Sequence, residues 1–344
     1  AKGRWLAVLE SDDFALPKML ELLYNAAIKH QVQVVKGNCW FYWSGNKLKD
    51  ASELKNASDV KVFSELKDAS GAKVASELKG ASGVKDKKTR RSRERKKFVS
   101  LVPRKQTGYV LAPLSGKIKD TEIFFLPPSI WSGLYEVEFL RNNNIRFLET
   151  PGASYQDTSF NFKVWVLASK VNFISEAVLY YRQDNESSSM NSKAKADAVV
   201  TEFSEMKRFI QASANDAFQA QDKSKPELTL TLDNERLSLL LAVLRKMQFD
   251  TYLWNYERLK SDLQLTFLKF FAKEFQETCD MHAKEELLFF EEWKAKDMQL
   301  IVADPDNYHR LRSAAGQYSQ KGKLVHYYRL GGLRLLLKIL RSKL

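Results

Sequence analysis

An apolar run that stops abruptly in acid constrains this chain most. Trp5-Leu6-Ala7-Val8-Leu9 is followed at once by Glu10-Ser11-Asp12-Asp13, three carboxylates in four positions. Five consecutive apolar residues leave no polar face for a helix to show, so the pattern predicts a short, fully buried strand. Ligands of open α/β sheets collect at the carboxyl ends of strands, where these acids fall. Side chains alternate along a strand, so Glu10 and Asp12 project to one side and Asp13 follows at the turn. Such an oxygen-rich set suits Mg²⁺ or Mn²⁺, which take one or two carboxylates and complete their shell with water and substrate phosphates. A plainer role fits as well. Asp13 can start the next helix, which Pro17 and the apolar Met19, Leu20, Leu22, Leu23, Ala26 and Ala27 announce.

A second acid stands in a comparable setting. Between Glu149 and Trp165, a Pro151-Gly152 loop precedes Phe160, Val164, Leu167 and Ala168 at helical spacing, which places Asp157 at or just before a helix N-terminus. As a cap its carboxylate is worth about 1 kcal/mol. As a general base it accepts the proton of an incoming hydroxyl, held ionised and fixed in direction by the helix end.

The run Ala1 to Asp13 resembles the segment around the acidic DxD signature of family 2 glycosyltransferases, which usually reads Asp-Ser-Asp-Asp after a strand. The resemblance implies that Glu10 lies near the ribose of a nucleotide sugar, with Glu standing where Asp is usual. It further implies that Asp12 is the metal ligand and that Asp13 joins them on the donor side. Gln156-Asp157 falls where that family carries an acidic pair, usually Glu-Asp, whose Asp is the catalytic base; Asp157 keeps the base and Gln156 replaces its acidic neighbour on the acceptor side. Trp131 matches an aromatic position near the acceptor, although Ile130 and Leu134 beside it fit a core Trp equally. The loop from Tyr181 to Ser189 resembles the one that approaches the donor diphosphate. There Arg182 can hold phosphate oxygens bidentately, or pair with a surface acid. The nucleotide-binding βα units that precede the signature in that family do not precede it here, so the resemblance covers a partial domain, as a fragment or after loss of the upstream half.

The net charge of +13 is concentrated in two places. Lys87 to Lys97 holds eight Lys or Arg against one Glu, and Lys321 to Leu344 holds seven with no acid, so the rest of the chain is close to neutral. The first run closes a segment that repeats every 12 residues from Ala51 (Ser-Glu-Leu-Lys at 52–55, 64–67 and 76–79). So few apolar residues per unit do not offset an ordering cost of about 1 to 2 kcal/mol per residue, so the repeats read as an inserted loop rather than a stacked solenoid. The basic run suits phosphate contacts, but no aromatic residue interrupts it to stack on bases, so nucleic acid is not the expected partner. The second run carries Leu330, Leu333, Leu337, Leu340 and Leu344 on one stripe and Arg334, Lys338 and Arg341 on another, after Gly331-Gly332. That pattern predicts a helix lying in a membrane interface on anionic headgroups, with a partner or core helix as the alternative.

Two cysteines, Cys39 and Cys279, far apart, argue for buried thiols in a reducing compartment. No run of about 18 apolar residues predicts a membrane span. His282, His309 and His326 lack metal-ligand spacing. The expected architecture is α/β: residues 1–196 form a partial GT-A (Rossmann-like) nucleotide-diphospho-sugar transferase domain with an insertion over 46–97. Residues 197–344 form an α-helical C-terminal region ending in a basic amphipathic helix over 324–344. Val32 to Trp43, Ile123 to Leu126, Ile145 to Phe147, Val171 to Ile174 and Ala177 to Arg182 read as strands. The implied function is inverting, metal-dependent sugar transfer from a nucleotide diphosphate sugar to a glycan or lipid-linked acceptor. This would serve bacterial surface-polysaccharide synthesis at the cytoplasmic membrane face. A catalytically inactive binding module and a nucleic-acid binder through 87–97 are the rivals.

Overall fold

The computed structural model describes residues 2–43, 95–102, 107–114, 118–150, 155–184, 197–219, 233–278, 287–314 and 320–342. The 12-residue repeats, the basic residues 87–94, Cys279, His282 and Leu344 lie outside the described residues.

The fold is built on one strand pair. The Val-rich, aromatic stretch Val34–Trp43 forms β3, whose first six residues are buried, and it runs parallel to β7 (Val171–Arg182) from Val34↔Val171 to Tyr42↔Arg182. The two strands expected over 171–174 and 177–182 are this single β7. The polar Ser175-Glu176 that separates them in sequence lies at an irregularity in the register, opposite Lys36 to Cys39. Asn38 staples the bulge: its Nδ2 donates to the Ser175 carbonyl at 2.7 Å, and its Oδ1 accepts from the amides of Leu101 and Val102 at 2.8 and 3.3 Å.

The remaining strands are β1 (Trp5–Ala7), β2 (Phe14–Ala15), β4 (Arg95–Val99), β5 (Val110–Leu111) and β6 (Gly133–Glu136). They give a mixed sheet in the order β1-β6-β3-β7-β2, with β4 added to β3 and β5 to β7. Two expectations change here. β1 is not fully buried; its three residues are half-buried at the edge of the described sheet, paired only with β6. Arg95, Lys96 and Lys97, expected to end a solvated insertion, instead pair in β4 with Trp43, Tyr42 and Phe41, because the aromatic end of β3 needs a partner and Lys96 can lay its ammonium 5.8 Å from the Tyr180 ring centre.

Helix α1 (Met19–His30) covers the sheet through Met19, Leu23 and Ala27, spaced one turn apart, and ends where Gln31 turns left-handed at φ 49°. Ile123 to Leu126 is not a strand. It belongs to a 3-10 segment, Ile118–Phe125, with Ile123 and Phe124 buried, and Ile130–Ser132 is a second 3-10 turn after the Pro pair. A six-residue helix, α2 (Val137–Asn142), follows β6. Ile145 to Phe147 forms no strand; Ile145 is buried and Phe147 stacks on Phe160 at 4.1 Å.

Helix α3 (Gln156–Leu167) follows, and the C-terminal region is helical as expected: α4 (Asp197–Gln219), α5 (Asn234–Arg258), α6 (Ser261–Thr278), α7 (Glu292–Ala303), α8 (Pro305–Ala314) and α9 (Gln320–Ser342). In α6 the buried stripe is Phe267, Phe271 and Phe275, while Phe270 faces out. One contiguous apolar cluster joins sheet and helices. His326 is spent structurally, its Nε2 2.6 Å from Asp297 Oδ1 with both side chains buried, and His309 Nδ1 lies 2.8 Å from the Tyr256 hydroxyl.

The β3–β7 contact is close at Gly37, where an added Cβ would sit 2.7 Å from Val178 Cγ1 and 3.0 Å from the Glu176 carbonyl. Gly37→Ala is therefore expected to destabilise the fold by about 1 to 3 kcal/mol, measured as a drop in urea midpoint with unchanged m-value.

Candidate active site

The acidic turn is closed by the Asp13 amide donating to the Glu10 carbonyl at 3.2 Å. Asp13 does not start α1, which begins six residues later. Its Oδ1 instead accepts from the Arg182 amide at 3.0 Å, tying the turn to the end of β7. Its Oδ2 is buried and finds no hydrogen-bond partner. Burial pushes the Asp13 carboxyl up to about 7, the Arg182 amide opposes that, and Asp12 and Glu10 add repulsion. Glu10 is likewise raised, by desolvation and then by Asp12. The three acids thus crowd one another as an anionic cluster.

Asp157 is the second residue of α3. Tyr155 precedes the helix with φ 63°, a left-handed conformation that costs a non-glycine residue about 1 kcal/mol or more. Its neighbours hold it there: the Tyr155 hydroxyl donates to Asn255 Oδ1 at 2.7 Å, and its ring meets Trp254 edge-on at 5.8 Å, both from α5. Gln156 fastens the preceding loop, its Nε2 donating to the Thr150 carbonyl and hydroxyl at 3.0 Å each. Burial raises the Asp157 carboxyl to about 7, with Glu10 next and Glu202 of α4 also raising it, while its own backbone amide and Lys36 act the other way.

The two acidic motifs therefore share one electrostatic environment. Glu10 acts on Asp157, and Glu10, Asp13, Asp12 and Asp157 together hold the Tyr181 hydroxyl protonated well above its usual range, after burial. Tyr181 lies in β7 and stacks flat on Trp131 at 4.5 Å with 8° between planes. Trp131 itself is buried, so it reaches the site through Tyr181. Arg182 presents its amide to Asp13, and its Nε donates to Asp184 Oδ1 at 2.9 Å, the acid-paired arrangement. Cys39 is a buried thiol pushed up to about 12 by burial and Asp13.

Three contributors escaped the motif reading. Lys36 sits 2% exposed near the start of β3, with a signal in plain view: a lone cation after Val34-Val35. Glu202, buried on α4, accepts from the Ser159 amide at 3.1 Å, and it has no motif around it. The Trp254-Asn255 pair belongs to a helix far along the chain, and only tertiary packing brings it to Tyr155. Among the described residues no group of three or more His, Cys, Asp or Glu is placed to hold a metal ion. A divalent cation there would need water and ligand oxygens beside the acidic turn, which is how Mg²⁺ is commonly bound.

No protein-family model matches the chain, and no curated protein matches it by sequence. Among solved structures, S. aureus TarS 1-349 in complex with UDP-GlcNAc is similar over 93% of this chain and 70% of that one, at 14% identity and TM-score 0.50. TarS 1-349 alone (15% identity, covering 93% and 69%, TM-score 0.48) and in complex with UDP (14%, 93% and 69%, 0.46) follow. The first likeness shows a shared glycosyltransferase fold.

A carboxyl raised in the folded state is bound to a proton there while its unfolded counterpart is ionised, so its cost to stability grows from about pH 4 to about pH 7 and is constant above. Asp157→Asn should accordingly stabilise the protein at pH 8, and the gain should vanish as pH falls through that window, measured by thermal unfolding at a series of pH values.

Proposed function

We propose that this chain transfers a sugar from a nucleotide diphosphate sugar to an acceptor hydroxyl with inversion. The observation that carries the reading is the convergence of the Glu10–Asp13 turn and Asp157 around Tyr181, on a fold shared with a protein solved with UDP-GlcNAc. Glu10, Asp12, Asp13 and Arg182 form the donor side, and Asp157 and Gln156 face the acceptor. Trp131 supports the Tyr181 ring between them.

In this reading Asp157 takes the proton of the acceptor hydroxyl, and the oxygen attacks the anomeric carbon from the side opposite the diphosphate. The bond from that carbon to the phosphate oxygen breaks, and its electron pair leaves with the nucleoside diphosphate. A base that titrates near neutrality has enough basicity to assist and still ionises at working pH. Mg²⁺ or Mn²⁺ held by Asp12 would supply positive charge to the departing diphosphate. The unpartnered Asp13 Oδ2 and the mutual repulsion of the three acids fit a cation at that turn.

The acceptor is proposed to be a glycan or lipid-linked chain at a membrane surface. Helix α9 kinks at Gly331-Gly332, and beyond the kink Leu335 and Ile339 pack inward while Leu333, Leu337 and Leu340 remain exposed at 61, 45 and 44%. Lys338 pairs with Glu292, and among the described residues Arg329 and Arg334 are also exposed beside the leucines. An outward apolar stripe edged by arginine suits an anionic bilayer. Among the described residues no helix is long and apolar enough to cross a membrane.

Release of UDP from UDP-sugars with Mn²⁺ and candidate glycan acceptors tests the chemistry. Asp157→Ala and Asp12→Ala should each lower kcat/KM by about 100-fold or more, and turnover at the wild-type level in both would overturn the assignments. For the surface, Leu333→Glu combined with Leu337→Glu should abolish cosedimentation with phosphatidylglycerol vesicles; equal binding of wild type to neutral phosphatidylcholine vesicles contradicts the electrostatic part.

A further inference from the structure

Helix α3 carries Asp157 in its first turn, and that turn has no side-chain cap of its own. Tyr155, left-handed at φ 63°, stands at the N-cap and its side chain makes no capping bond to the helix. The Tyr155 carbonyl accepts from the Thr158 amide at 2.8 Å, a tight opening turn. Amides that find no acceptor leave a helix start to fray, and the side chains on that turn then lose their fixed direction.

An acceptor for this turn comes from another helix. Glu202 of α4 is 1% exposed, and its Oε2 accepts from the Ser159 amide at 3.1 Å, two residues past Asp157. One turn further along each helix, Lys163 of α3 pairs with Glu205 of α4. The core holds α4 independently of either contact. Val199, Phe203, Met206 and Ile210 are buried at helical spacing, and Phe203 meets the Tyr252 ring of α5 edge-on at 5.6 Å. A carboxylate is a costly choice for a buried acceptor: burial raises the Glu202 carboxyl, and the bonds to Ser159 oppose that shift.

We infer that Glu202 is a positioning residue, capping the first turn of α3 from α4 and so fixing the direction in which Asp157 presents its carboxylate. The distance to the bond it makes is short in sequence: Ser159 and Asp157 share one helical turn, so an amide fixed at the first fixes the backbone at the second. Misplacing a reacting group by about 1 Å can cost up to about 100-fold in rate. The kinetic arm of the inference rests on the reading of Asp157 as the base; the cap itself is tested without it.

The experiment compares wild type with four variants of the full chain. Glu202→Gln keeps an acceptor oxygen at the same reach and removes the charge, whereas Glu202→Asp keeps the charge and withdraws the oxygen by one methylene. Glu202→Met removes the acceptor at similar volume. Glu205→Gln weakens the neighbouring α3–α4 tie, one turn away from Asp157. Hydrogen exchange of the Ser159 amide, followed by NMR, should be about fivefold faster in the Asp and Met variants of Glu202 and unchanged in Glu202→Gln. Then kcat and KM for UDP-sugar turnover are read at pH 9, above the value of about 7 to which the Asp157 carboxyl is raised, so that the change of charge does not enter. Glu202→Asp and Glu202→Met should lower kcat about tenfold with KM for the donor unchanged, while Glu202→Gln and Glu205→Gln stay within about twofold of wild type. An unmoved Ser159 exchange rate, wild-type kcat in the Asp and Met variants, or an equal loss in either Gln variant overturns the inference. Thermal unfolding reports which variants are folded, and either of the Asp and Met variants suffices. If wild type neither transfers nor hydrolyses sugar, the functional reading fails, and the Ser159 amide still decides whether Glu202 caps α3.

Discussion

The parallel pairing of β3 with β7 is the constraint on which the rest depends. Gly37 lets the two backbones approach where no Cβ fits, and the register irregularity beside it swings the second half of β7 so that Tyr180, Tyr181 and Arg182 come level with the end of β3. The Arg182 amide can then catch Asp13, next to β2, which pairs with β7 at Phe14↔Tyr180, and the acidic turn is held at the end of β7. Trp131 reaches the same place from the turn before β6 and supports Tyr181 from below. Backbone geometry at one glycine thus determines where the side-chain chemistry meets.

What meets there is unfavourable for stability. Asp13 and Asp157 are raised to about 7 and Lys36 is lowered to about 7, all chiefly by burial, and Glu202 is raised as well. None of these shifts is of the kind that strengthens a fold at neutral pH, because each marks a charged form that the folded state disfavours. The large aromatic and aliphatic core that runs from sheet to helices offsets them. Acids raised by burial meeting beside the left-handed Tyr155 are the pattern of a site kept for its chemistry.

Much of this was legible in the sequence where the signal is local. The β-branched and aromatic run at Val34 to Trp43 and the apolar spacing of α1 follow from periodicity; α3 starts beside Asp157 as expected, but Tyr155 is its N-cap and no side chain caps it. The strand expected at Ile123 to Leu126 failed because a short apolar run bounded by proline carries no period, and here its burial is met by a 3-10 turn. β7 was divided in two because a bulge interrupts the alternation that identifies a strand. The three basic residues of β4 read as solvated on charge alone, while the partner they serve, the aromatic end of β3, lies about fifty residues upstream. The acids of the site announced themselves by their spacing. Glu202 and the Tyr155–Asn255 bond did not, since each acquires its role from a neighbour that only the tertiary fold supplies, and Lys36 showed only as a lone cation after Val34-Val35.

That dependence gives the helical region a part in the chemistry. Tyr155 holds a strained backbone immediately before Gln156-Asp157, and its hydroxyl and ring are held by Asn255 and Trp254 near the end of α5, while Arg258 lies over the Trp254 ring at 4.4 Å. Glu202 of α4 binds the Ser159 amide in the first turn of α3 and adds its charge to the environment of Asp157. The start of α3 that carries Asp157 is therefore held by α4 through Glu202 and by α5 through Tyr155. Displacing α4 or α5 would release the left-handed turn and change the charge around the carboxylate together, so the helices after β7 act as the rigid wall against which the end of α3 is aimed.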